Sequence, residues 1–95
     1  MKPIKETTDG LEVDAWYYKS CRAEFGVGYD WATLYLIKSK DECKGHATYI
    51  LTKAKDYYEK NGLRFGGTVA LHPAMKRIYK KLNIREYDNP YGEGE

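Results

Sequence analysis

The chain has 95 residues, 42% hydrophobic and 32% charged, with a formal net charge of +2. That leaves room for one modest core in one domain. Sixteen basic against 14 acidic residues argue against a nucleic-acid binder, and no apolar run approaches the roughly 20 residues of a membrane helix.

Residues 1–10 are polar, carry Pro3 and show no periodicity, so they read as a flexible leader. From Leu11 the odd positions are apolar: Leu11, Val13, Ala15, Tyr17, then Cys21, Ala23, Phe25, Val27 and Tyr29. A period of 2 predicts two half-buried strands broken near Lys19. A helix over 14–25 is the rival, because no strong turn signal separates the two. Gly26 to Asp30 reads as a turn, and Ala32 to Lys38 as a central strand with two apolar faces. Ala47, Ile50, Leu51, Ala54, Tyr57 and Tyr58 recur at helical spacing, and Asn61-Gly62 stops that helix.

Leu63 to Leu71 reads as a strand. Its Gly66-Gly67 pair marks a bulge or a close approach. His72-Pro73 opens a second helix, where proline is well placed, with Met75, Ile78, Tyr79 and Leu82 on its apolar face. Ile84 to Tyr87 is a last strand, and residues 89–95 a polar tail. The order predicts an α/β (α+β) fold over 11–88: antiparallel strands, then a strand-loop-helix-strand-helix half, in one mixed sheet. A right-handed crossover would make the strands around the first helix parallel.

The loop Glu42-Cys43-Lys44-Gly45-His46-Ala47 lies between the central strand and the first helix. The first N–H groups of a helix lack internal partners, and the helix dipole adds partial positive charge there. Such a turn binds anions, Gly45 permits close approach of backbone, and Lys44 adds a charge. A plain connection is the competing account, since the Gly-Lys-Ser/Thr ending of a P-loop is missing.

Two segments together resemble the GCN5-related N-acetyltransferase (GNAT) family. Its acetyl-CoA loop, Gln/Arg-x-x-Gly-x-Gly/Ala, is matched by Gly45 and Ala47, with Glu42 in place of Gln or Arg. Its Asn-x-x-Ala-x-x-x-Tyr-x-Lys-x-Gly-Phe helix is similar to the run from His72 to Ile84. Tyr79 and Lys81 match, while His72 replaces the Asn, Asn83 the Gly and Ile84 the Phe. The resemblance covers residues 30–87, the cofactor half of the fold. The family's usual first strand and two helices, which cover the acceptor substrate, have no room before residue 11, so this would be a minimal member.

The resemblance implies an acetyl-CoA-dependent N-acetyltransferase that transfers directly to an amine, a protein lysine or N-terminus. The pantetheine arm would pair with Leu36, Ile37 and Lys38. The phosphates would meet Glu42, Cys43, Lys44, Gly45, His46 and Ala47, with His72 at the second helix. Tyr79 would protonate the departing thiolate, the step a general acid serves; a core tyrosine with a satisfied hydroxyl is the plainer account. A homodimer could complete the missing acceptor half. The alternative is a non-catalytic fold that binds a protein partner. Glu42 in the phosphate loop and the missing acceptor half favour it.

Other residues carry weaker signals. Cys43 lies at a helix N-terminus, which can lower a thiol pKa, but a bystander fits as well. Without a CxxC pattern or signal peptide, Cys21 and Cys43 read as reduced cytoplasmic thiols. His46 and His72 lack zinc spacing, so no metal is expected. Glu24 or Asp30 could deprotonate an acceptor amine; a solvated turn carboxylate explains either. Lys76, Arg77, Lys80 and Lys81 could meet an acidic partner or phosphates, or simply face solvent. Ten tyrosines suit half-buried strands and binding surfaces alike.

Overall fold

The computed structural model describes residues 2–40, 45–68 and 73–87. The element order is β1 (Ile4–Thr8), β2 (Leu11–Tyr18), β3 (Cys21–Val27), β4 (Trp31–Ser39), α1 (His46–Lys60), β5 (Arg64–Thr68), α2 (Pro73–Leu82) and β6 (Arg85–Tyr87). The six strands form one mixed sheet in sequence order. β1 to β4 are antiparallel; β4–β5 and β5–β6 are parallel.

The expected leader is replaced by a strand. Ile4 to Thr8 pairs with Ala15 to Leu11, and Asp9-Gly10, both at positive φ, close the hairpin. Asp and Gly tolerate that conformation, and Asp-Gly is a hairpin signal. A five-residue polar edge strand has no apolar alternation to betray it. The helix over 14–25 does not form: Lys19 turns at φ 56 and starts a second hairpin. β3 extends to Val27, so the turn is shorter than expected. The expected strand from Leu63 is seen over Arg64–Thr68; residues 69–71 and the tail from 88 lie outside the described residues.

Register sorts the side chains onto two faces. Trp16 opposes Ala23, which opposes Ile37, and this face carries the core with Phe25, Leu34 and Phe65. Ile50, Leu51, Ala54 and Tyr58 of α1 and Tyr79 of α2 join the same cluster. Both helices therefore cover one face, as two successive parallel crossovers in one direction require. The opposite face carries Val13, Ala15, Arg22, Glu24, Thr33, Tyr35 and Leu36, and no described helix covers it.

Both helices end in the same way. Gly62 at φ 81 and Asn83 at φ 57 are left-handed. Leu63 N–H donates to Tyr58 O at 3.0 Å, and Ile84 N–H to Tyr79 O at 2.8 Å. These are Schellman ends, which favour glycine and accept asparagine. Asn83 thus takes the left-handed position that ends α2.

Candidate functional site

A cleft of about 910 Å³ opens where β4, the start of α1 and α2 meet. Among the described residues β5 pairs with β4 from Trp31 to Leu34, and β4 runs on to Ser39. Among the described residues no strand pairs with 35–39 on that side. Ile37, Lys38 and Ser39 at the end of β4 line the cleft. Ile37, Met75 and Ile78 give it apolar wall; Gly45, His46, Ala47 and Thr48 bring in the first turn of α1.

That turn is open. Gly45 sits at the N-cap with φ 77 and no side-chain cap, and the first turn contains no acidic residue. Space around Gly45 is clear enough that an added Cβ would meet nothing within 4 Å. Its carbonyl takes the first helical bond, from Tyr49 N–H at 3.0 Å. The preceding N–H groups are those a helix cannot satisfy internally. His46 is fixed laterally: Nδ1 lies 3.5 Å from Ser20 Oγ, and the ring meets Tyr18 edge-on at 5.5 Å.

The electrostatics are one-sided. Among the described residues every formally charged side chain lining the cleft is basic: Arg22, Lys38, Lys40, Arg77 and Lys81. Arg22 is already occupied by Glu24, Glu6 and Tyr17, which hold its guanidinium well above its usual range. Lys38, Lys40, Arg77 and Lys81 enter no ion pair among the described residues. Cations gathered around a helix N-terminus make a site for a polyanion. Among the described residues no three His, Cys, Asp or Glu side chains gather as metal ligands, and no helix is long and apolar enough to cross a membrane.

Of the residues singled out from sequence, Ile37, Lys38, Gly45, His46 and Ala47 come together here. Leu36 lies on the other face, opposite Glu24, and is 40% exposed. Glu42, Cys43, Lys44 and His72 lie outside the described residues. Tyr79 does not line the cleft. It is buried behind α2 against β5, where its hydroxyl donates to Thr68 O at 3.0 Å. Gly67 makes that possible, because a Cβ there would collide with the Tyr79 hydroxyl. The glycine pair thus marks a close approach, with Tyr79 as the group that approaches. Burial, with some help from Glu86, pushes the Tyr79 phenol up to about 12.

Sequence reasoning missed Ser20 and Arg22. They come from the β2–β3 hairpin, and only strand pairing carries them beside the end of β4. Comparison with known proteins finds no matching family model, no matching curated protein and no matching solved structure.

Proposed function

We propose that the cleft binds the nucleotide half of acetyl-CoA and that the protein is an N-acetyltransferase acting on an amine by direct transfer. One observation carries this: every charged side chain described around the cleft is a cation, and Lys38, Lys40, Arg77 and Lys81 enter no ion pair among the described residues beside the first turn of α1. Phosphates would take the α1 N–H groups and Lys38, Lys40, Arg77 or Lys81. The pantetheine arm, which carries amides, would lie along the edge of β4 as a further strand does. Backbone N–H groups there would polarise the thioester carbonyl as the amine attacks. The C–N bond forms, the C–S bond breaks and the thiolate takes a proton.

Tyr79 is the donor that the resemblance implies. Its phenol stays protonated throughout the physiological range, with a pKa near 12. Its hydroxyl now points at Thr68 O, so donation to sulfur needs that bond to be exchanged. The same geometry favours a second reading, a protein that binds the cofactor without turning it over.

Thermal melting with acetyl-CoA tests the binding step. At 100 times Kd a ligand adds about 2.7 kcal/mol, and no shift at millimolar concentration would sink the proposal. Lys81→Glu and Arg77→Glu should remove the shift while leaving the apo melt unchanged. Catalysis is tested by mass-spectrometric search for new acetyl-lysines in cells making the wild type and Tyr79→Phe. Tight binding without any product leaves the second reading in place.

A further inference from the structure

The cleft's cations fall into two groups on separate elements. Lys38 and Lys40 come from the end of β4 and the residue after it, at the chain's approach to α1; Arg77 and Lys81 come from α2. Lys38, Lys40, Arg77 and Lys81 are exposed and enter no ion pair among the described residues. Arg22 stands opposite Lys38 in register, but Glu6 and Glu24 hold it, so it adds no free charge.

One row of α2 addresses the cleft. Ala74, Arg77, Ile78 and Lys81 line it, at the i, i+3, i+4 and i+7 spacing of a single helix face. Lys76 and Lys80 are also exposed, and they lie outside that row. Arg77 and Lys81 are therefore neighbours on the helix surface, about 6 Å apart along its axis. Two cations so placed can close on one phosphate, Arg77 with paired N–H donors and Lys81 as a point charge.

Charge counting says which phosphate. The pyrophosphate of acetyl-CoA carries about one negative charge on each phosphorus, whereas its ribose 3′-phosphate is a monoester with about −1.5 to −2 at pH 7. Lys38 and Lys40 suffice for the pyrophosphate, which leaves Arg77 and Lys81 over. At about 910 Å³ the cleft lies toward the upper end of ligand pockets, about 300–1,000 Å³, so both groups have room.

We propose that Arg77 and Lys81 grip the ribose 3′-phosphate and make the site selective for acetyl-CoA over its 3′-dephospho form. This rests on the reading of the cleft as an acetyl-CoA site and adds the group that α2 recognises. The pyrophosphate is left to the first turn of α1 with Lys38 and Lys40. The selectivity comes from attraction alone: the dephospho form meets no clash and loses one anion.

The test is calorimetric titration with acetyl-CoA and with acetyl-dephospho-CoA, which lacks only that phosphate. The wild type should bind acetyl-CoA roughly 10- to 100-fold more tightly at low salt, the worth of one charge-assisted contact. The ratio should shrink as added salt screens it. Arg77→Gln with Lys81→Gln should bring acetyl-CoA down to the affinity of the dephospho form and leave the latter unchanged. Lys38→Gln with Lys40→Gln should weaken both ligands by the same factor and keep the ratio. These side chains are exposed, so melts without ligand should not move, and the wild-type comparison needs no variant. Equal affinity of the wild type for the two ligands overturns the proposal and leaves the acetyl-CoA reading standing. A ratio that survives Arg77→Gln with Lys81→Gln overturns it too. Binding of neither ligand overturns that reading and the proposal together.

Discussion

The C-terminal half of α1 drives Tyr58 between Trp16, Phe25 and Phe65, with ring centroids 5.4–6.2 Å away, whereas its first turn opens onto the cationic cleft. At the closed end, Trp16 Nε1–H donates to Tyr58 Oη at 3.1 Å, Tyr58 O–H donates to Asp14 Oδ2 at 2.7 Å, and Lys5 stands 2.8 Å from Asp14 Oδ1. Asp14 is 5% exposed and fully engaged, as a buried carboxylate must be. The carbonyls of Tyr57, Tyr58 and Glu59 are also satisfied, by Asn61, Gly62 and Leu63. The open end has no side-chain cap and no acidic neighbour in its first turn. One helix thus separates duties: its C-terminal half holds the fold, and its N-terminus is left for a ligand. Stability should respond to changes at the first end and binding to changes at the second.

Tyr58→Ala breaks the comparison most severely. It empties the centre of the aromatic cluster and takes the partner from Trp16 N–H and from Asp14 Oδ2, so chemical denaturation should show a loss of about 3–5 kcal/mol. Tyr58→Phe sharpens it by keeping the ring and removing only the relay, for about 1–3 kcal/mol.

Gly67→Ala tests the second close contact, behind α2. Overpacking against the Tyr79 hydroxyl should cost about 1–3 kcal/mol. Tyr79→Phe should recover part of that loss, because the hydroxyl is the nearest obstacle. If the double variant is as unstable as the sum of the singles, the two residues do not touch.

Alkaline pH should weaken the closed regions. Burial chiefly raises the Tyr58 phenol far above its ordinary value of 10, and the Tyr79 phenol from 10 to about 12. The folded state thus holds both protons more tightly than the unfolded chain. Their stabilisation is complete below about pH 10 and falls as pH climbs through 12. Denaturation midpoints between about pH 9 and 12 should drop in the wild type and drop less in Tyr79→Phe.

The smallest expected effect on stability is at the open end. Arg77→Glu and Lys81→Glu should move the melt by less than about 0.5 kcal/mol, yet remove the acetyl-CoA shift. A melt that falls with them would mean that the cleft is part of the fold's support.

Much of the fold was legible because its signals are local. Alternation from Leu11 to Val27, helical spacing from Ala47 to Tyr58 and Asn61-Gly62 depend on neighbours in the chain, and β2, β3 and α1 follow them. β1 was not legible, since a polar edge strand is defined by its partner and not by its own pattern. The sequence by itself also determined that a glycine-bearing loop leads from a strand into a helix, and the structure starts that helix at His46 with Gly45 at φ 77. Only the tertiary structure decided the rest. Strand pairing brings Ser20 and Arg22 to the cleft beside the end of β4. The crossovers put both described helices on one face. Tyr79 faces Thr68 because Gly67 leaves room for it. Each of these depends on which residues become neighbours across strands, and a one-dimensional pattern does not carry that information.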